Sequence, residues 1–524
     1  MNNPGVPHLE KKDTSYQLVV DGKPFLMLAG ELHNSSASSL AYLEPIWPRM
    51  KSLGLNTVLV PLYWELVEPE EGRFDFALLD GIVAAAREVD LRLVFLWFGT
   101  WKNAASSYVP EWVKAAPKRF PRLQYRPGED VDALSCFSQL SCQADSSAFA
   151  TVMRRIRQID EGKHTVLMVQ VENEPGVLGF PRDRSAAADA AYKQPVPQEL
   201  IAYLQAHRES LAPALQRIWG STGFRASGTW SDAFANVADE VFMAWYVARY
   251  IDQVAAAGKA EYDIPLYANA WLIGSQTQRA GDYPSGGPVY RMLDVWKAGA
   301  AHIDLLAPDI YLQDFRGACQ AYTRPDNPLF IPEAHRDERA AAAVFYALAQ
   351  HDALGFAPFG IDGVQEPHPL SASYRLLAEM MPVLAGYQGT GRMAGFFQQA
   401  DGEIWEVRLG DYYLRIKTNQ PLQPGRVPGG GLVINLAEDE YLCAGRGLTF
   451  EFSKPAGPVN VEFLWAEEGS YENGQWVTGR RLNGDETSHG RIVRLSERLS
   501  ACRVKINPYL IPVLHQELLA GHNV

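Results

Sequence analysis

The chain has 524 residues, 47% of them apolar, and a formal charge of −13. Such an acidic balance works against partnership with nucleic acid or an anionic membrane and suits a neutral ligand. The apolar content supplies a large core, while no run reaches the ~20 apolar residues of a membrane-spanning helix. Five cysteines, an odd number at wide spacing, read as free thiols rather than a disulfide framework. Met1 to Asp13 lacks a basic start and an apolar core, so no signal peptide is visible. The expected location is cytoplasmic, or periplasmic or secreted if a leader precedes these residues.

The chain starts as a hairpin: Tyr16 to Val20, the turn dipeptide Asp21-Gly22, then Lys23 to Phe25. Strand-like and helical segments then alternate. Leu26 to Gly30 is the first apolar run and ends at Glu31. A helix is expected near 42–53, a second strand over Asn56 to Trp64 and a third over Arg92 to Phe98. A helix near 146–161 precedes a fourth strand, Thr165 to Val171. Residues 180–260 form an Ala-rich, partly helical excursion. Further strands are expected at Pro265 to Trp271, Ile303 to Ala307, Leu329 to Pro332 and Gly355 to Gly360, with a closing helix near 371–387. Continuous apolar strands alternating with helices mean a parallel sheet covered on both faces. Eight such units point to a (β/α)8 barrel, and no Gly-x-Gly-x-x-Gly follows the first strand.

Near residue 388 the pattern changes to short alternating strands punctuated by Gly and Pro, such as Ile404 to Leu409 and Tyr412 to Lys417. The reading is a catalytic barrel with an N-terminal hairpin over 1–388 and an all-β accessory domain, a sandwich, over 389–524. Pro428-Gly429-Gly430-Gly431 reads as a turn or loop.

Two of the apolar runs end in matched glutamates. Gln170-Val171-Glu172-Asn173-Glu174-Pro175 closes the fourth strand, and Ile331-Pro332-Glu333-Ala334-His335 closes the seventh. The C-terminal ends of barrel strands are where chemistry sits, and two converging carboxylates there are equipped to hydrolyse a glycosidic bond. Glu174 fits the proton donor and general acid/base, Glu333 the nucleophile. No metal or cofactor is called for. His-x-His, His-Glu-x-x-His and Gly-x-Ser-x-Gly are all missing from the chain.

These residues resemble glycoside hydrolase family 35, the β-galactosidases. The resemblance rests on Gly30-Glu31-Leu32-His33, Trp47 to Val58, Trp64 with Glu68-Pro69, Gly72 to Phe76, and Gln170 to Glu174. It covers about residues 10–390, and the C-terminal part looks like the accessory domain of some bacterial members. It implies a retaining exo-β-glycosidase acting on terminal β-D-galactosyl residues, with Glu174 as proton donor, Glu333 as nucleophile, and Glu172 and Asn173 contacting the sugar. Two departures stand out. Pro61 occupies a position where the family usually has Tyr, with Tyr63 as the expected substitute. The usual Cys-Ala-Glu-Trp segment is replaced by Phe98-Gly99-Thr100-Trp101-Lys102-Asn103, which bears on sugar specificity. A glucosidase, an α-L-arabinopyranosidase, an exo-β-glucosaminidase or a non-catalytic carbohydrate-binding protein remain as alternatives.

Further candidates for sugar contact are Glu31, Asn103 and His335, and the aromatic rings of Trp101, Trp271 and Tyr311, since sugar C–H faces stack on aromatic rings. The expected partner is carbohydrate, not nucleic acid or membrane, with a homodimer or higher homo-oligomer left open.

Overall fold

The computed structural model describes residues 5–454 and 459–510. Its centre is an eight-stranded parallel sheet: β1 (Met27–Glu31), β2 (Thr57–Tyr63), β3 (Arg92–Lys102), β4 (Val166–Asn173), β5 (Leu266–Trp271), β6 (Leu305–Ile310), β7 (Glu333–Ala334) and β8 (Gly355–Phe356). Spatial order follows chain order from β1 to β7, and β8 lies beside β1. Ile331 bridges Phe356 in parallel, and the Ala357 amide donates to the Ile331 carbonyl at 2.9 Å, which closes the sheet into a barrel. The strands are apolar throughout because helices cover the outside and packed side chains fill the inside.

The eighth strand is shorter than its apolar run suggests, and the seventh starts only at Glu333, after the expected Leu329 to Pro332, within which Ile331 makes an isolated bridge. Pro332 and Pro358 have no amide hydrogen to give, so the ladder is regular only beside them. The third strand is longer than expected. Trp97 pairs with Val171, but the next pairing sets Lys102 against Asn173. Five steps on β3 thus span two on β4, a bulge over residues 98–101. Gly99 makes the bulge sterically feasible: a Cβ there would lie 2.3 Å from Trp97 Nε1 and 2.7 Å from Glu172 Oε1.

Two long helices, α1 (Gln139–Asp160) and α2 (Ala238–Glu261), pack together outside β3 and β4. The excursion before α2 folds into short helices, including Gln198–Ala206 and Pro213–Gly220. At the N-terminus, Asp21 and Gly22 both take positive φ, as a type I′ turn requires. A strand not foreseen, His8–Lys12, joins that hairpin.

The C-terminal part is two antiparallel sheets. One runs Met393–Phe397, Gly430–Ala437, Glu440–Arg446, Ser500–Leu510, Val459–Glu472 and Gln475–Arg481. The other runs Ile404–Leu409, Tyr412–Thr418, Leu448–Ser453 and Ile492–Leu495. Leu414, Ile416, Val433, Phe450 and Val504 are buried together between them. Gly430 and Gly431, expected in a loop, begin a strand instead. The reason is contact with helix α3 (Ala340–Gln350): a Cβ on Gly430 would sit 2.5 Å from Ala342 Cβ, and one on Gly395 would sit 2.8 Å from the α3 backbone. Glycine meeting an alanine-rich helix brings the β-domain directly onto the barrel. Arg316 and Glu403 pin the junction with an ion pair at 2.6 Å.

Candidate active site

The C-terminal ends of β4 to β7 meet at one cleft of about 460 Å3. Glu174 follows β4, and Glu333 opens β7. Neither could find the other without the barrel. An oxygen from each, and one from Asp309 at the end of β6, all lie within 4.8 Å of one another. Among the described residues this is the one group of three or more His, Cys, Asp or Glu side chains with ligand atoms so placed.

Each carboxylate is held differently. Glu333 Oε1 accepts from Asn173 Nδ2 at 3.3 Å, and Oε2 accepts from the Tyr311 hydroxyl at 2.7 Å. Both bonds orient the carboxylate. The Tyr311 phenol is itself pushed up, by burial and then by the Glu333 charge, so it stays a donor. The Glu174 backbone amide donates to Asn269 Oδ1 at 2.9 Å, and its carboxyl meets that of Asp309. Asn269 in turn donates to Asp309 Oδ2 at 2.7 Å. Burial first, then the Glu333 carboxylate, push Glu174 up to about 7. A buried carboxyl pushed up beside a second carboxylate is suited to acid/base work.

The strand end carrying Glu174 is strained. Glu172 and Glu174 both have positive φ, at 63° and 44°. A turn from β3 supports them. Lys102 and Ala105 exchange backbone bonds at 2.8 and 3.1 Å, and the amides of Asn103 and Ala104 donate to the carbonyls of Asn173 and Glu174. Asn103 and Ala104 take φ of 52° and 58° to make that turn. The bulge therefore delivers Lys102 to the cleft, where Nζ donates to Asn173 Oδ1 at 3.0 Å.

Beneath the cleft, Glu31 is fully buried, and neither carboxylate oxygen has a hydrogen-bond partner. Burial and then the Glu333 charge push its carboxyl well above the usual range. Asp309 Oδ1, Asn34 Oδ1, Tyr267 Oη and both polar ends of Gln170 are also buried without partners. Buried polar atoms are rarely left so, and their clustering at the strand ends suits a polar ligand.

The other expected residues divide. Asn103 and Trp271 line the cleft, Trp271 with its ring 38% exposed, and Tyr311 stands beside them. Glu172 does not face it. Its Oε2 accepts the Trp101 amide at 2.5 Å, and burial and Asp145 push its carboxyl up. Trp101 is no platform either: it is 1% exposed, with Tyr250 edge-on at 4.7 Å between ring centres. The bulge turns both residues toward the layer under α1 and α2. Tyr63 is buried and donates to the Asn34 carbonyl at 2.5 Å, so it holds the loop after β1 rather than entering the cleft. His335 is exposed and bonds the Tyr311 carbonyl at 3.1 Å, facing away from the cleft toward a second cavity.

Lys102, Asn34 and Asp309 also line the cleft and were not among the expected sugar contacts. The available signal for Asp309 was its place after the apolar run Leu305 to Ala307, matching that of the two glutamates. All five cysteines are free thiols. No helix among the described residues is long and apolar enough to cross a membrane.

A closed parallel barrel with paired strand-end carboxylates defines the class. Residues 17–212 match the family model of glycosyl hydrolases family 35. Residues 370–494 match a domain of unknown function, DUF5597. A beta-galactosidase of Xanthomonas manihotis is 39% identical over 72 residues, 14% of this chain and 12% of that protein. Beta-galactosidase 11 of Arabidopsis thaliana is 27% identical over 195 residues, 35% of this chain and 20% of that protein. The chain thus spans a fifth or less of the length of these relatives. Among solved structures, the cold-adapted beta-galactosidase from Rahnella sp. R3 superimposes with a TM-score of 0.46 at 17% identity, covering 70% of this chain and 57% of that one.

Proposed function

We propose that this protein is a retaining exo-β-glycosidase that releases terminal β-D-galactosyl residues from oligo- or polysaccharides. The observation that carries the reading is the Glu174–Glu333 pair, with oxygens within 4.8 Å and the Glu174 carboxyl pushed up to about 7 by burial and the Glu333 charge. Retaining enzymes hold their two carboxyls about 5–5.5 Å apart, whereas inverting ones leave room for a water between them. Galactose as the sugar is supported by the family match and by the names of the aligned relatives.

In this mechanism Glu333 attacks the anomeric carbon while Glu174 passes its proton to the departing oxygen. Water then enters, Glu174 takes its proton, and the glycosyl–Glu333 ester is cleaved. Asn173 and Tyr311 aim the nucleophile. Asn269 and the 102–105 turn fix the backbone that carries the acid. Trp271, beside Glu174 at the end of β5, offers an aromatic face to the substrate.

The test is hydrolysis of 4-nitrophenyl β-D-galactopyranoside by wild type and by Glu174→Ala, with and without azide. Activity lost in the variant and restored as a β-glycosyl azide supports sugar, stereochemistry and acid/base together. A silent wild type that cleaves the glucoside, arabinopyranoside or glucosaminide instead replaces the sugar and keeps the mechanism. Sugar binding without turnover of any glycoside returns the protein to the binding class.

A further inference from the structure

A second cavity, of about 390 Å3, lies between the barrel and the β-domain. Its barrel wall comes from the loops after β6 and β7, and its other wall from Phe397 to Gln399 and the Pro-rich loop 422–428. Leu312 lines both this cavity and the catalytic cleft, so the two adjoin. Ala334 and His335, the two residues after Glu333, form its near edge.

The cavity is not slack packing. Along the same domain junction, Gly395 and Gly430 meet α3 so closely that no Cβ fits. The junction closes where Gly395 and Gly430 meet α3, while Ala340 and Ala343 near the start of α3 line the cavity, which opens beside the nucleophile's loop. Its volume falls within the ~300–1,000 Å3 of ordinary ligand pockets.

The lining states what class of ligand fits. The floor is apolar, with Phe315, Phe356 and Phe397 from three different elements. The cations are already neutralised: Arg339 pairs with Asp337 at 2.6 Å, and Arg426 pairs with Glu497. Gln398 is spent on the backbone of Gln420 and Gly429. An apolar floor with neutralised arginines and the Glu338 carboxylate does not select an anion. It matches a neutral, polyhydroxylated ring with apolar faces.

We propose that this cavity binds neutral sugar units of the substrate on the leaving-group side of the scissile bond, which makes the β-domain a substrate-binding element. The inference rests on the glycosidase reading of the cleft and adds to it which part of the chain holds the rest of the glycan.

The test uses the full chain and Leu422→Trp, a substitution on a partly exposed loop that fills the cavity. The substrates are β-linked galactobiose, galactotetraose and 4-nitrophenyl β-D-galactopyranoside. Wild type should show kcat/KM at least ten-fold higher on the tetraose than on the biose. Leu422→Trp should erase that gain and leave the nitrophenyl rate within two-fold. No chain-length gain in wild type, or equal losses on all three substrates, overturns the proposal while the glycosidase reading stands. If wild type cleaves none of them, galactose as the sugar fails, and calorimetric titration of the tetraose decides the cavity. Binding lost in Leu422→Trp upholds a glycan site, and no binding by wild type removes it. An unchanged melting temperature of the variant assures that folding is not the cause.

Discussion

The side-chain amide of Asn173 donates to Oε1 of Glu333 at 3.3 Å, across 160 positions of sequence. This bond couples the strand end that bears the candidate acid to the candidate nucleophile. The residue next to Asn173 is Glu174, and the other oxygen of Glu333 belongs to Tyr311. Orientation of both carboxyls therefore depends on neighbours one bond away.

Loss of Tyr311 should be felt by the nucleophile alone. A hydrogen bond to a charged group is worth roughly 1.5–3 kcal/mol, so Tyr311→Phe should lower kcat by about 10- to 100-fold. Stopped-flow measurement of the glycosylation step locates the loss. An unchanged rate would show that this bond does not aim Glu333.

Removing each carboxyl should give a different rescue product. Glu174→Gln should lower turnover of an unactivated glycoside by about 10²- to 10⁴-fold, the usual contribution of general acid/base catalysis. Glu333→Ala with azide should yield the α-glycosyl azide, because azide then enters from the face the nucleophile used. NMR of the products reads the anomer, and a β product from Glu333→Ala would contradict the assignment.

The alkaline limb of kcat/KM should report Glu174. Its carboxyl is pushed up to about 7 by burial and the Glu333 charge, so the acid form is full below that pH and lost above it. Lys102 opposes this shift, because a nearby cation favours the carboxylate. Lys102→Met should therefore move the limb to higher pH. A limb that stays in place would remove Lys102 from the electrostatics of the acid.

Glu31 should destabilise the fold as pH rises. Its folded carboxyl is pushed well above the ordinary 4.5, so above pH 4.5 the folded state holds a proton that the unfolded state has released. With more protons bound in the folded state, stability falls with increasing pH through that window. Glu31→Gln has no such proton to lose. Its melting temperature relative to wild type should climb from pH 4.5 upward, and a difference flat in pH would refute the account.

Gly99→Ala should cost about 1–3 kcal/mol, the usual range for overpacking. The added methyl meets Trp97 and Glu172 inside the bulge. Chemical denaturation measures the loss. Catalysis should fall with it, because the same bulge places Lys102 and the turn under Glu174.

The two glutamates were legible because an apolar run ending in Glu is a local pattern, and barrel geometry sends every strand end to one face. Lys102, Trp101 and Glu172 were not. The bulge on β3 leaves no mark in apolar periodicity, since the apolar run stops at Phe98 and Gly99 to Trp101 follow without a pattern. Only the pairing of Lys102 with Asn173 reveals that side chains beyond Trp97 have changed direction. The same holds for Pro428 to Gly431, whose glycines look like a turn until helix α3 is seen against them.

By itself the amino-acid order determined the alternation of strands and helices, the change to short β-strands near residue 388, and the carboxyls at the strand ends. These depend on near-neighbour hydrophobicity and backbone chemistry, which are written locally. Tertiary structure alone decided which carboxyl is buried and protonated, which rings are core, and that the β-domain leaves a cavity beside the nucleophile. Those depend on desolvation and on distances between residues far apart in the chain, and such quantities exist only once the barrel has closed.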